Sequence, residues 1–295
     1  MTKPVDPSAL RTVWLVCNPA SGSNDEATLD ALQQAFADAG KPLARVVRFP
    51  DEAVPDPAAL DAAGVDLLAV FAGDGTVHSV VTGAYGWGGA VLVLPGGTMN
   101  LLAKRMHGDV EATEAVARLG DGTALKRERP KVVHGRLGEG LSGVLAGPGA
   151  VWNDVREAMR ANSIVEFVTT AREAISYSAN GPRVVCAEVD CGREDGYVAI
   201  TVVPRDDGLE VKGFYAESLG DYAGQGIALL GRNFRNGPHD ELGKHERVRL
   251  LSRGGSAMGL LMDGEPHDGG AEEVFELAEI GVDLIATCDP QGTRT

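Results

Sequence analysis

Three glycine-rich turns constrain this chain more than any other feature. Each follows a short apolar run and precedes a helical pattern. Asn18-Pro19-Ala20-Ser21-Gly22 follows the run at 12–17, Gly73-Asp74-Gly75-Thr76 follows 66–71, and Pro95-Gly96-Gly97-Thr98-Met99-Asn100 follows 90–94. Runs that are apolar without alternation suit strands covered on both faces. A further strand is expected at 43–49. Residues 25–39 predict a helix, because Leu29, Leu32, Ala35, Phe36 and Ala39 keep helical spacing and Gly40 stands where a helix stops. Helices are also expected at 77–85, 100–106 and 110–119, with a short one at 55–63. Repeated strand–turn–helix units build a doubly wound α/β domain around a parallel sheet.

The texture changes after Gly120-Asp121-Gly122. Strands are expected at 123–128, 131–138, 141–147, 183–190, 196–203, 209–215, 246–252, 256–262, 273–278 and 282–286. Several alternate apolar and polar residues, as in Val248-Arg249-Leu250-Leu251, the pattern of an antiparallel sheet with one wet face. Helical segments interrupt them near 150–160, 164–179 and 218–230. The expected organisation is a nucleotide-binding α/β domain over 1–122 and a β-sandwich, acceptor-binding domain over 123–295, with room for the last segment to return to the first domain. Lys126, Arg127, Arg129 and Lys131 read as a solvated strand edge. Trp14, Trp87 and Trp152, and the rings of Phe214, Tyr215 and Tyr222, are expected in packing roles.

Composition narrows the function classes. Lys and Arg number 27 against 42 Asp and Glu, a net charge of −15, which disfavours a nucleic-acid partner and a surface drawn wholesale to anionic lipid. No apolar run reaches the ~18–20 residues of a membrane span, and residues 1–10 lack the apolar stretch of a signal peptide. Cys17, Cys186, Cys191 and Cys288 have no CxxC spacing and read as reduced packing thiols, so a cytoplasmic location is expected. The six histidines show no metal-ligand spacing.

In a parallel sheet the three turns fall together at the carboxyl edge of the strands, where ligands bind. Glycine lets backbone approach a phosphate, and the next helix aims its N–H groups at it. There is no GxxxxGK[ST], so a P-loop is excluded, and His78 stands where a dinucleotide fingerprint would carry its third glycine. Asp74 departs from a pure phosphate cradle. A carboxylate there repels phosphate unless a divalent cation or a substrate hydroxyl lies between them, or else it serves as a helix cap. Asp263-Gly264-Glu265 carries a hairpin-turn signal.

In this order, Asn18-Pro19-x-Ser21-Gly22, Gly73-Asp74-Gly75-Thr76, Pro95-x-Gly97-Thr98-x-Asn100 and Asp263-Gly264-Glu265 resemble the diacylglycerol kinase catalytic-domain family, bacterial lipid kinases related to sphingosine and NAD kinases. The resemblance implies an ATP- and Mg²⁺-dependent kinase for the hydroxyl of diacylglycerol or a similar lipid alcohol, with nucleotide and acceptor taken between an α/β domain and a β-sandwich. Asn18, Pro19, Ala20, Ser21, Gly22, Gly73, Gly75, Thr76, Val77, His78, Ser79, Gly97, Thr98 and Asn100 would line the ATP site. Glu265 would accept the proton of the lipid hydroxyl, and Asp74 would serve the catalytic metal. Asp206-Asp207-Gly208-Leu209-Glu210-Val211 looks like the family's second-domain segment, and Pro204, Asp207 and Leu209 match the positions of a second, structural Mg²⁺. The same resemblance leaves room for a homodimer and for transient contact with the inner membrane surface.

The chain also departs from the family pattern. Ala72 replaces a glycine, Ser79 a glutamate and Leu101 an aspartate, and 48–53 offers Arg48, Asp51 and Glu52 rather than a threonine. These departures keep two alternatives open beside the lipid kinase: a non-catalytic nucleotide- or lipid-binding protein on the same fold, and a kinase for a soluble alcohol.

Overall fold

The computed structural model describes residues 3–19, 25–97, 99–120, 125–147, 183–187, 192–215 and 239–287. The helices expected near 150–160, 164–179 and 218–230 lie outside the described residues, as do Trp152, Cys191, Tyr222 and Cys288. The chain divides into two compact units, Met1–Pro130 with Glu279–Thr295, and Lys131–Ala278.

The first unit is built on strands β1 (Lys3–Pro4), β2 (Val13–Cys17), β3 (Leu43–Arg48), β4 (Leu67–Ala72), β5 (Ala90–Pro95), β6 (Lys126–Glu128) and β18 (Asp283–Ala286). They form one sheet in the order β1-β6-β18-β5-β4-β2-β3. Pairing is parallel from β3 through β2, β4 and β5 to β18. β6 and β1 join antiparallel at one side. The helices are α1 (Glu26–Asp38), α2 (Pro57–Ala62), α3 (Asp74–Gly83), α4 (Leu101–His107) and α5 (Ala112–Ala117).

Both faces of the sheet are covered. All six residues of β4 are buried. On one face Leu15, Ala69, Phe71, Leu92 and Leu94 pack with Leu29, Leu32 and Phe36 of α1 and Val116 of α5. Val77, Val80 and Val81 of α3 and Leu102, Ala103 and Met106 of α4 are buried outside that cluster. The local signals behave as their chemistry dictates. Asp25 caps α1 by accepting the N–H of Thr28 at 2.8 Å, and Gly40 leaves the helix at φ +71°.

The second unit holds two antiparallel sheets. The first comprises β7 (Lys131–Gly135), β8 (Gly138–Gly140), β10 (Val184–Cys186), β14 (Arg247–Ser252) and β17 (Glu272–Glu279), in the order β10-β14-β17-β7-β8. The second comprises β9 (Val144–Gly147), β11 (Ala199–Arg205), β12 (Gly208–Phe214), β13 (His239–His245), β15 (Gly259–Met262) and β16 (Glu265–Asp268), in the order β13-β12-β11-β9-β15-β16. Val133, Val248, Leu250 and Phe275 of one sheet share a core with Ile200, Val202, Val211 and Leu260 of the other. An α/β domain with a mostly parallel sheet is thus followed by an antiparallel β-sandwich.

Four strands escaped the sequence pattern, β1, β8, β13 and β16, and the last two show why. In β13 only Leu242 is a buried apolar residue, so backbone pairing to β12 makes the strand where alternation is absent. In β16 the sequence Glu-Pro-His-Asp has no apolar face, and its two-residue hairpin with β15 recruits it. β6 and β18 pair with each other inside the first sheet, so residues 126–128 and 283–286 both belong to the first unit. The basic stretch there is engaged: Arg127 and Arg129 both reach the Asp283 carboxylate.

Candidate functional site

β2, β4 and β5 are adjacent, with Cys17 opposite Phe71 and Ala72 opposite Pro95. Their three following turns therefore leave from one edge of the sheet. Ala20, Ser21, Gly22 and Thr98 lie outside the described residues, so the edge is built here from Asn18, Pro19, Gly73–Ser79, Gly97 and Asn100. Asn18 Nδ2 donates to Thr76 Oγ1 at 3.1 Å, tying the first turn to the second. Gly73 and Gly97 tie the second to the third. A Cβ built on Gly97 would lie 2.6 Å from the Gly73 Cα, and one on Gly96 would lie 2.6 Å from the Ala72 nitrogen. Only glycine permits either approach.

Asn100 closes the third turn on itself. Its Oδ1 accepts from Gly97 N–H at 2.7 Å and its Nδ2 donates to the Gly97 carbonyl at 3.0 Å. It does so from a left-handed backbone, φ 52° and ψ 43°, a region that tolerates Asn better than most residues. Asp74 completes the arrangement. Its carboxylate accepts the N–H of Asn100 at 3.0 Å and of Leu101 at 2.8 Å. The residue sits on the first turn of α3 and caps α4, rather than its own helix. α3 itself has Gly73 at its N-cap and no side-chain cap.

That geometry suits a phosphate. Ten-residue α3 starts after Gly73 with no side-chain cap, and Gly96 and Gly97 pack against backbone beside it. It also suits a divalent cation at Asp74. The remaining residues contribute less. Val77 is buried and offers only backbone to this edge, His78 is half-buried, and the exposed Ser79 hydroxyl turns back to donate to the Gly75 carbonyl at 3.1 Å.

In the second unit, Asp263 and Gly264 form the two-residue turn between β15 and β16, with φ 52° and 84°. Positive φ at both positions is the hairpin geometry that Asp-Gly encodes. The Asp263 carboxylate is buried and accepts from Leu141 N–H at 2.8 Å, Ser142 N–H at 2.6 Å and Gly143 N–H at 3.3 Å. The turn is thereby clamped to the segment leading into β9. Glu265 follows it, half-buried, opposite Met262 at the start of the outermost strand of its sheet. The sequence signals the turn, but not the clamp, which depends on residues 120–122 positions away.

Asp207 lies in the β11–β12 turn, with Pro204 opposite Leu209 in the strands that flank it. Both Asp207 oxygens accept from Lys244 Nζ, at 2.8 and 2.7 Å. That contact holds the Asp207 carboxyl below its ordinary range. The donor set fits a divalent cation poorly, because the one carboxylate among the three residues already faces an ammonium. Lys244 was invisible as a site residue because β13 carries no strand pattern. Phe214 meets the His239 ring at 5.5 Å, and the Tyr215 ring lies under the Arg193 guanidinium at 4.1 Å. Among the described residues no helix is long and apolar enough to cross a membrane.

An α/β domain with these turns on one sheet edge, followed by antiparallel sheets, is the architecture of the diacylglycerol kinase-like fold. Residues 12–128 match the family model of the diacylglycerol kinase catalytic domain. Among solved structures, a “putative diacylglycerol kinase” of Bacillus anthracis str. Sterne is similar with a TM-score of 0.63 at 18% identity, covering 97% of each chain. A diacylglycerol kinase of the same organism gives a TM-score of 0.60 at 16% identity over 96% of this chain and 98% of that one. No curated protein matches the sequence. Residues 12–128 are thus similar to the diacylglycerol kinase catalytic domain, and the solved structures share the fold of the whole chain.

Proposed function

We propose that this chain is an ATP-dependent kinase that phosphorylates the hydroxyl of diacylglycerol or a similar lipid alcohol. The observation that carries the reading is the sheet edge itself: a helix start without a side-chain cap, flanked by glycines in backbone contact, beside the Asp74 carboxylate. It lies within the segment that matches the family.

The chain's own groups would act as follows. Backbone N–H groups at the start of α3 bind phosphate oxygens, and the contact between Gly73 and Gly97 fixes the two turns that flank them. Asp74 is the residue that would hold Mg²⁺, whose charge neutralises the transferring phosphoryl group. The acceptor hydroxyl would pass its proton to the Glu265 carboxylate as its oxygen bonds the γ-phosphorus and the bond from that phosphorus to the β–γ bridging oxygen breaks, releasing ADP. General-base help of this kind is worth ~10²–10⁴-fold.

The test is ADP release by purified protein against a panel of lipid and soluble alcohols, with Mg²⁺ and with chelator. Mg²⁺-dependent release with a lipid alcohol is expected. Release only with a soluble alcohol moves the acceptor class. A second reading, a non-catalytic nucleotide binder, is favoured by Ser79, whose hydroxyl bonds back into its own helix where a carboxylate would face the nucleotide. No release with any acceptor, alongside thermal stabilisation by ATP, would select it.

A further inference from the structure

The β11–β12–β13 corner carries its own cation. β12 pairs with β13 so that Glu210 lies opposite Lys244 and Leu209 opposite His245. Gly208, at φ +147°, keeps the space beside Lys244 open: a Cβ there would meet the Lys244 Cβ at 3.3 Å. The register thus delivers the Lys244 ammonium over the β11–β12 turn, where it meets both oxygens of Asp207 at 2.7–2.8 Å. The neighbouring charges are matched as well. Glu210 pairs with Arg205 at 3.2 Å and with Lys212 at 3.7 Å, and Lys212 reaches Glu241 at 3.2 Å. A divalent cation brought to Asp207 would displace one ammonium and stand close to the others, for a single carboxylate in return. Its attraction to that carboxylate is offset by repulsion from Lys244 and Arg205, the two cations whose charges act on Asp207.

We propose that Lys244 stands in for the second, structural divalent cation, so that this corner of the β-sandwich is organised by an internal ammonium and takes up no metal. Of the two metal positions that the resemblance implies, Asp74 then remains. A lysine is a compact point charge on a flexible stem, suited to replacing a metal where charge rather than coordination number is needed.

The experiment is thermal unfolding of the full chain in MgCl₂ and in EDTA, without nucleotide or acceptor, for the wild type, Asp207→Asn, Lys244→Met and the double variant. The wild type should show no Mg²⁺ response that depends on Asp207. Lys244→Met should acquire a Mg²⁺-dependent rise in melting temperature, and adding Asp207→Asn should remove it. A wild-type Mg²⁺ response that disappears in Asp207→Asn overturns the proposal, and so does a Lys244→Met protein as indifferent to Mg²⁺ as the wild type. Neither nucleotide nor acceptor enters the measurement, so its failure is distinguishable from failure of the kinase reading.

Discussion

The Asp74 carboxylate, on the first turn of α3, accepts the backbone N–H of Leu101 at 2.8 Å and so anchors the start of α4. Its second oxygen takes the N–H of Asn100, which makes the cap bidentate. Asp74→Asn keeps one acceptor and turns an NH₂ toward the other N–H. That mismatch is expected to cost about 1–3 kcal/mol, read as a lower melting temperature. ADP release should fall far more steeply than stability, because the charge that would hold Mg²⁺ is gone. Equal turnover in a folded Asp74→Asn protein would leave Asp74 a cap and nothing else.

Gly97 tests the nucleotide site through its backbone. Gly97→Ala puts a methyl 2.6 Å from the Gly73 Cα, against main chain that cannot move aside cheaply. The two turns must separate, at a strain of about 1–3 kcal/mol. Thermal stabilisation by ATP, which follows from binding to the folded state alone, should be lost or strongly reduced. Full stabilisation in Gly97→Ala would put the nucleotide elsewhere.

Asp263 and Glu265 are neighbours with separable roles. Asp263→Ala strands three backbone N–H groups and leaves an alanine at φ 52°, so a loss of about 3 kcal/mol or more is expected in chemical denaturation. Glu265→Gln keeps size and hydrogen bonding and should leave unfolding and ATP stabilisation unchanged. It should slow ADP release ~10²–10⁴-fold. A silent Glu265→Gln would remove the proposed base and leave the nucleotide site standing.

His107 predicts how stability depends on pH. It is almost fully buried, and burial pushes its pKa down to about 4. Its Nε2 lies 2.9 Å from the Val93 carbonyl, which can only accept, so that nitrogen carries the proton. Nδ1, 3.0 Å from Thr287 Oγ1, then accepts the hydroxyl proton, and Arg118 donates to the same oxygen at 3.3 Å. The unfolded chain binds a proton near pH 6.5 and the folded chain near 4. Stability from this group is therefore complete above about 6.5 and lost progressively as pH falls to about 4, by on the order of 3 kcal/mol. Melting temperatures measured across that window should fall, and His107→Gln should flatten part of the slope. An unchanged slope would assign the pH dependence to other groups.

The frame was legible in the sequence wherever apolar pattern and turn chemistry agreed. The unbroken run at 66–71 reads as a doubly covered strand and Asp263-Gly264 as a hairpin turn, and the structure has both. Long-range partners were not legible. Asp74 reads locally as a cap for its own helix, yet its partners stand 26 and 27 residues away. Lys244 sits in a strand made by pairing alone, with Leu242 its only buried apolar residue, so no periodicity marks it. The sequence left room for the last segment to return to the first domain, but nothing in it placed β18 beside β5.

That return has a consequence for biosynthesis. β18 lies between β5 and β6, hydrogen-bonded to both, and it emerges about 150 residues after β6. At translation rates of about 5–20 residues per second, β5 waits on the order of 10–30 s for its neighbour. The nascent first unit must hold an unpaired edge while the whole sandwich is being made. A nascent chain halted after residue 130 should stay open to proteases and chaperones until a peptide carrying 279–287 is supplied in trans.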